Sequence, residues 1–207
     1  MDVIQKRIFR IGMLAFCLSS SLALADTAEE MDRANKLYEE MSMMDAAVIY
    51  KKLALENHLP AQARLGELLD YTEDHVEAVG WYITAAFQGD AKGAYHLGQS
   101  YLSGSGILKD PAQALYWFKF AADKSNLNAV KALENGYSIG AVSGLPVKVD
   151  LKQAEFWKSK RIPLEEQRNK EFQEQLAAAK KAAEEKADAT RKADEEAAKN
   201  KAKGNSQ

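Results

Sequence analysis

The sequence predicts an all-α protein, a right-handed α-solenoid of helix–turn–helix repeats followed by a long charged C-terminal helix. Helix-breaking residues are rare, with 12 Gly and 4 Pro among 207 residues. The middle of the chain repeats one pattern of aromatic and alanine residues, and stacked helix pairs of this kind bury a core that one pair cannot bury alone. The last third is rich in alanine and charged residues, which favour helix.

The N-terminal segment, residues 1–25, has the three parts of a cleaved export signal. Basic residues precede an uncharged stretch, residues 11–25, which ends in the small-residue site Ala23-Leu24-Ala25. This stretch is shorter than the run of about 20 apolar residues that a membrane-spanning helix needs. We therefore expect cleavage after Ala25 and a periplasmic or secreted protein with no membrane span.

The charge and the cysteine content exclude several classes of function. The formal net charge is −2, which argues against a nucleic-acid binder that neutralises phosphates. The single cysteine, Cys17, lies inside the export segment, and the bulky Phe16 before it does not fit a lipidation site. Cleavage would remove this thiol, so the exported form can use neither a cysteine nucleophile nor thiolate metal ligands.

Each repeat centres on one aromatic residue, and these residues are 31, 36 and 40 positions apart. An alanine precedes each aromatic residue by three positions, which places both on one face of a helix. Upstream, Leu65-Gly66 and Leu97-Gly98 predict a first helix in two of the units, with glycine allowing a close helix contact. The aromatic residues are Tyr50, Trp81, Trp117 and Trp157, and the alanines are Ala47, Ala78, Ala114 and Ala154.

Three of the second helices begin with the same capping signal. Asp74, Asp110 and Asp150 each lie seven residues before the aromatic residue, and Glu or Gln follows three residues later, as in a capping box. Gly89 is placed to end one of these helices. The signals predict about four helix–turn–helix units in a repeat domain over residues 26–162.

The segment AYHLGQSYLSGSGILKDPAQALYWFKFAA, residues 94–122, resembles a unit of the Sel-one-like repeat family, a relative of the tetratricopeptide repeat. The shared features are Leu-Gly in the first helix, a Gly-x-Gly turn, an aspartate cap, and Ala-x-x-Trp followed by Ala-Ala. The resemblance extends over roughly residues 30–160. It implies a binding scaffold, because such families are generally adaptors rather than enzymes.

The first helices of the units present a polar face opposite their Leu-Gly positions. In solenoids these helices line the concave surface, so the polar face predicts a groove for a protein or peptide partner in the cell envelope. An ordinary solvated face would have the same polarity. The candidate groove residues are Arg64, Glu67, Lys92, His96, Gln99, Asn128 and Asn135.

The sequence predicts no catalytic residue, no metal site and no cofactor. His58, His75 and His96 lack metal-ligand spacing and fit exposed or capping roles, and Gly104-Ser105-Gly106 fits a turn rather than a nucleophile or phosphate loop. The recurring tryptophans fit core packing better than a sugar-binding platform. An alternative function is an envelope-acting hydrolase of cell-wall peptides or β-lactams, which needs a convergent acid, base or nucleophile.

The C-terminal segment, residues 163–207, is an Ala/Lys/Glu-rich tail with predicted helical structure. Residues 163–203 contain 10 basic and 10 acidic residues, so this part has no net charge. Large apolar residues stop after Leu176, which argues against a sustained coiled coil. The tail is therefore interpreted as a solvated helix. Weak self-association through its alanine stripe is the alternative, and it would make the protein a structural oligomer.

Overall fold

The computed structural model describes residues 26–204, with side-chain burial described for residues 26–141 and 144–192. The export segment, with Cys17 and the predicted cleavage after Ala25, lies outside the described residues. Residues 26–204 contain helices and no strand. The helices are residues 26–39 (α1), Met43–Leu55 (α2), Leu59–Tyr71 (α3), His75–Phe87 (α4), Ala91–Ser103 (α5), Pro111–Asp123 (α6), Leu127–Ile139 (α7) and Leu151–Gly204 (α8), with a short 3₁₀ helix at Gly140–Ser143.

The six helices α2 to α7 have one length, 13 residues each. From α2 to α7 each helix packs against the next one in the chain, and α3 also contacts α5. This order of contacts is that of a helical solenoid, in which each unit touches its neighbours only. The predicted all-α solenoid with a long C-terminal helix is confirmed.

Five helices end in one type of turn. A residue with left-handed backbone conformation follows each of them, and in α4 this residue is the predicted Gly89, with φ of 94°. The N–H groups of Gly89 and Asp90 donate to the carbonyls of Ala86 and Ala85, both at 2.9 Å, which closes the helix end as a Schellman motif. The equivalent residues in the other four turns are Met41, Asn57, Glu73 and Ser125.

The three predicted aspartate caps are confirmed. Asp110 accepts hydrogen bonds from the N–H groups of Ala112 and Gln113, at 2.9 and 3.1 Å. In a capping box the N–H of the capping residue donates to the Glu or Gln side chain. The N–H of Asp110 donates instead to the Tyr101 carbonyl of the preceding helix, at 2.9 Å. Asp150 repeats this arrangement, whereas Asp74 accepts one bond, from the N–H of Glu77, while its own N–H donates to the Leu69 carbonyl. Each aspartate therefore starts one helix and fixes the turn that follows the previous one.

The deepest core position differs by one residue from the predicted alignment. The eighth residue of α2, α4 and α6 is Tyr50, Tyr82 and Phe118, and each is almost completely buried. Tyr50 is therefore equivalent to Tyr82, not to Trp81, and its small partner is Ala46 rather than Ala47. Trp117 and Trp157 are buried, whereas Trp81 is half-buried and packs on the edge of the core. The alignment placed Tyr50 with the tryptophans because adjacent aromatic residues give two possible registers.

The Leu-Gly glycines pack directly against these buried rings. A Cβ atom at Gly98 would lie 2.9 Å from two ring carbons of Phe118 and 3.3 Å from the Ala114 carbonyl oxygen. At Gly66 the ring of Tyr82 occupies the same space. The expected close packing at these glycines is confirmed, but its main partner is an aromatic ring rather than a backbone.

The first described helix completes the N-terminal end of the core. Met31 and Ala34 of α1 are buried in one cluster with Tyr50 of α2 and Leu65 of α3. The Tyr50 hydroxyl donates to the Asn35 side chain at 2.9 Å. Helix α1 is therefore the partner helix of α2, the helix that carries Tyr50 of the first repeat.

Helix α8 is 54 residues long and contains Pro163 in its interior. The sequence analysis placed the start of the tail segment at this proline, and proline in a helix interior costs about 3 kcal/mol. The helix instead begins at Leu151 and continues through it. The chain divides into two compact units between Lys158 and Ser159, and the second unit is formed by the remainder of α8.

The glycine–ring contact predicts opposite effects for two glycine-to-alanine substitutions. Gly98→Ala should destabilise the protein by about 1–3 kcal/mol, because the added methyl group overpacks the Phe118 ring. Gly80 in α4 is the matched control, since nothing lies within 4 Å of a Cβ atom there. Gly80→Ala should stabilise by up to about 1 kcal/mol through helix propensity. Urea unfolding followed by circular dichroism measures both, and equal effects would contradict the packing argument.

Candidate functional site

The structure sorts the seven predicted groove residues into two groups and one outlier. Arg64, Glu67, Lys92 and His96 form one ion-paired cluster between α3 and α5, called the Glu67 cluster below. Gln99 of α5 and Asn135 of α7 line a cavity. Asn128 is exposed near the start of α7 and is not among the residues that line this cavity.

The Glu67 cluster places three donors on one carboxylate. Lys92 Nζ lies 2.7 Å from Oε1, His96 Nε2 lies 2.8 Å from the same oxygen, and Arg64 Nη1 lies 3.1 Å from Oε2. The Glu67 side chain is 16% exposed, while Arg64 and Lys92 are each 37% exposed. The cluster therefore ties α3 to α5 through a mostly buried carboxylate with two partly exposed cations around it.

The carboxylate is held in its charged form by these partners. Burial by itself raises the pKa of Glu67, but hydrogen bonds from His96 and Lys92 and their charges outweigh it and lower the pKa to about 2. Burial also lowers the pKa of Lys92, against the opposing effect of Glu67. Glu67 is therefore a structural anion whose removal leaves the partly buried Lys92 without its counter-charge.

Tyr82 connects the Glu67 cluster to a second polar group. Its ring stacks on the His96 ring, with centroids 5.0 Å apart and 14° between the planes. Its hydroxyl donates to Asp70 Oδ2 at 2.9 Å, and His75 Nδ1 lies 2.9 Å from Asp70 Oδ1. Burial, with the nearby Asp70 charge, raises the pKa of Tyr82 well above its ordinary value, so the hydroxyl stays a neutral donor.

A cavity of about 520 Å³ lies beside Asp70, within the usual size range of ligand pockets. Its walls come from α3, α4, α5, α6, α7 and two connecting segments, so residues distant in sequence converge there. Asp70 is the one acidic residue of the lining, and no lysine or arginine is among the lining residues. The lining residues are Asp70, His75, Tyr95, Gln99, Ser100, Leu102, Ser103, Ser105, Phe118, Ala132, Asn135 and Leu145.

The position of the cavity follows from one change between repeats. Glu67, Gln99 and Asn135 are the ninth residues of α3, α5 and α7. The sixth residue of α5 is His96, whose ring reaches Glu67, whereas the sixth residue of α7 is Ala132. An alanine is too short to reach Gln99, and both residues line the cavity. The space between the ninth residue of one first helix and the sixth residue of the next is filled by the Glu67–His96 ion pair in one repeat. Between Gln99 and Ala132 in the next repeat it stays open.

The arrangement around His96 does not provide an activated nucleophile. Its Nε2 is bound to Glu67, and the hydroxyl one turn later, Ser100, donates to the His96 backbone carbonyl at 3.1 Å rather than to the ring. His96 and Glu67 are also not among the cavity-lining residues. A nucleophile needs a side-chain base within hydrogen-bond reach, and no such pair is formed at this position. Among the described residues, no three His, Cys, Asp or Glu side chains converge as metal ligands.

The sequence did not single out Asp70 or Tyr82, and it interpreted His75 as an exposed or capping residue. His75 is half-buried beside Asp70, and Asp74 is the residue that caps α4. His58 does occupy an N-cap position, but its side chain makes no capping bond and its Nδ1 is buried without a partner. The contacts of Asp70 with Tyr82 and His75 join α3 to α4 across a turn. The residue pattern along one helix does not predict contacts between two helices.

Stacked helix pairs of constant length, each packed against the next, define a helical-repeat solenoid. Residues 59–90 and 91–126 each match the Sel1 repeat family model. These limits coincide with the pairs α3–α4 and α5–α6 and their turns. Residues 59–126 therefore contain two Sel1 repeats, which confirms the resemblance read from the sequence.

Solved structures that are similar to this chain include two bacterial proteins. A Sel1 repeat protein from Oxalobacter formigenes is 29% identical, with a TM-score of 0.58, over 66% of this chain and 58% of that one. A protective antigen present in uropathogenic Escherichia coli strains, displaying an SLR fold, is 30% identical, with a TM-score of 0.49, over 59% of this chain and 29% of that one. This chain thus spans less than two thirds of either. A search of the curated proteins finds no match.

Proteins built from Sel1 repeats mediate protein–protein interactions, and the family is generally a non-catalytic scaffold. This agrees with the general function that the sequence suggested. None of the described helices combines the length and the apolar character that a membrane crossing requires.

The Glu67 cluster predicts a specific pH dependence of stability. The pKa of Glu67 is about 2 in the folded protein against 4.5 for the free group, so its contribution is present above about pH 4.5 and is lost as the pH falls towards 2. At about 1.4 kcal/mol per pKa unit, Glu67→Gln should cost about 3 kcal/mol at neutral pH. This difference from the wild-type protein should shrink as the pH is lowered.

Urea unfolding at a series of pH values between 7 and 2.5 measures this effect. Glu40→Gln is the control, because Glu40 is exposed and lies 3.9 Å from Lys36, and such surface pairs contribute at most about 1 kcal/mol. Parallel pH profiles for the wild-type protein and Glu67→Gln would show that Glu67 is not the stabilising anion.

Proposed function

We propose that this protein is an exported, periplasmic interaction scaffold that binds a segment of a protein or peptide partner along α3, α5 and α7. The observation that carries this proposal is the cavity between these helices, lined by two of the predicted groove residues, Gln99 and Asn135. Both side chains are exposed at its edge. The repeat family supports a protein partner, and the export-type N-terminal sequence supports an envelope location.

The chemistry of the cavity suits a peptide segment. The amides of Gln99 and Asn135 each offer donors and an acceptor, which match the N–H and C=O groups of a peptide backbone. Leu102, Phe118 and Leu145 supply apolar surface beside them. An apolar floor with a few fixed polar groups is typical of sites that bind by shape and hydrogen bonding.

In this proposal the Glu67 cluster acts as the support of the site. Three donors already occupy the Glu67 carboxylate, so its main effect is to hold α3 against α5. Arg64 and Lys92 keep part of their surface exposed and can contact a bound segment at the edge of the site. Charge reversal at Glu67 would therefore report on stability as well as on binding, and it is unsuitable as a test of the groove alone.

The tail has a separate proposed role. Residues 163–207 provide a charged spacer or docking helix, and weak self-association through this segment stays a prediction. Phe172 and Leu176, four residues apart on α8, are exposed apolar residues available for such a contact.

Filling the cavity should weaken partner capture without unfolding the protein. Ala132→His places an imidazole at the position that His96 occupies in the preceding repeat, where it closes the equivalent space. We expect capture of a partner from envelope extract by residues 26–207 to fall at least about tenfold, the effect of losing one well-packed contact. Ala112→His is the matched control, because Ala112 is exposed on α6 and does not line the cavity. Undiminished capture by Ala132→His, with a normal urea midpoint, would contradict the proposed site.

The export proposal has its own test. The protein expressed with its natural N-terminus in a Gram-negative host should appear in the periplasmic fraction and begin at Asp26, by N-terminal sequencing. Ala23→Arg with Ala25→Arg removes the small residues that the cleavage site requires, so the precursor should remain uncleaved. A wild-type protein that stays in the cytoplasm with residues 1–25 attached would overturn this part of the proposal.

A further inference from the structure

We propose that the cavity accepts a basic side chain, lysine or arginine, of the bound segment, with the Asp70 carboxylate as its counter-charge. This inference rests on the proposed function, because it names the chemistry of the segment that the scaffold binds. It concerns a residue outside the predicted groove, which the sequence did not single out.

The charge of the cavity wall favours a cation. Asp70 is an acid, and no lysine or arginine is among the lining residues. The remaining polar groups are the His75 ring, which lies against Asp70, and uncharged amides and hydroxyls. A carboxylate on the partner would meet Asp70 without a compensating cation, whereas an ammonium or guanidinium group would gain a charge-assisted hydrogen bond.

The Asp70 carboxylate is both fixed and accessible. Tyr82 donates to Oδ2 and His75 lies against Oδ1, each at 2.9 Å, so the carboxylate has one defined orientation. Two bonds leave about half of its acceptor positions open, since a carboxylate offers about four. Its side chain is 34% exposed, so an entering group can reach these positions.

The walls beside Asp70 suit the rest of a long basic side chain. Leu102 is the residue of α5 equivalent to Asp70 of α3, and it lines the cavity together with Tyr95 and Phe118. These apolar groups can cover the methylene stem of lysine or arginine while its charged end reaches Asp70. Gln99 and Asn135 are then placed to bind the adjacent backbone.

A peptide titration tests the charge preference directly. The probes are three capped pentapeptides, acetyl-Ala-Ala-X-Ala-Ala-amide, with X as lysine, glutamate or the uncharged norleucine. Residues 26–207 are titrated with each, and binding is followed by NMR through the side-chain amide signals of Gln99 and Asn135. We expect the lysine peptide to bind about tenfold more tightly than the norleucine peptide, with the glutamate peptide weakest. Equal binding of the lysine and norleucine peptides, or tighter binding of the glutamate peptide, would overturn the proposal.

Variants of Asp70 separate the effect of its negative charge on peptide binding from the structural effect of its hydrogen bonds. Asp70→Asn keeps an acceptor for the Tyr82 hydroxyl and should remove the lysine preference, whereas Asp70→Glu should keep most of it. Asp123→Asn, at an exposed acid on α6, is the control and should change nothing. If Asp70→Asn does not fold, the salt dependence of peptide binding to the wild-type protein provides the test. The preference for the lysine peptide must weaken as salt is raised from 20 to about 500 mM. A preference that survives Asp70→Asn or high salt would refute the assignment.

The result is distinguishable from failure of the proposed function. If Ala132→His weakens partner capture while Asp70→Asn leaves capture and peptide preference intact, the scaffold site stands and the counter-charge inference fails. If Ala132→His leaves capture intact, the site itself is wrong and this inference fails with it.

Discussion

The repeat domain depends on one contact, between a glycine in the first helix of a pair and an aromatic ring in the second. The ring of Tyr82 fills the space beside Gly66, and the ring of Phe118 fills the space beside Gly98. Alanines around each ring let the helices approach closely enough to bury it almost completely. Protein interiors pack too densely to absorb an added methyl group without movement of the ring. These two residue types therefore set the distance between the helices in the pairs α3–α4 and α5–α6.

Tyr82 extends this core contact into the polar site. One edge of its ring packs on Gly66, one face stacks on His96 of the Glu67 cluster, and its hydroxyl binds Asp70 beside the cavity. A single side chain thus links α3, α4 and α5, and the site inherits the rigidity of the core. The equivalent ring in the next repeat, Phe118, has no hydroxyl, and Leu102 stands where Asp70 would be. The repeats therefore share their packing but differ in their polar contacts.

The sequence predicted the features that depend on local chemistry. The aspartate caps were found because a side chain binds its own helix, and the helix pairs were found because Leu-Gly and Ala-x-x-Trp recur. The predicted alignment of the first repeat was wrong by one residue. Tyr50 follows the non-aromatic Ile49, whereas Tyr82 follows the aromatic Trp81, so Tyr50 was aligned with Trp81 instead of Tyr82. Four of the left-handed helix ends have a residue other than glycine and were not predicted, and Asp70 pairs with residues in another helix. Contacts of these kinds depend on the assembled fold, so spacing alone does not show them.

Equivalent polar residues on α3, α5 and α7 have different roles, so the position of a residue in the repeat does not by itself determine whether it lines the cavity. The ninth residue of each helix is polar, but its role depends on the sixth residue of the following first helix. His96 reaches back to Glu67 and converts that position into a support, whereas Ala132 leaves Gln99 at the edge of a cavity. A solenoid can in this way open a site within an unchanged backbone by shortening one side chain. Periodicity therefore predicts which face is polar, and the neighbouring side chain decides where that face opens into a cavity.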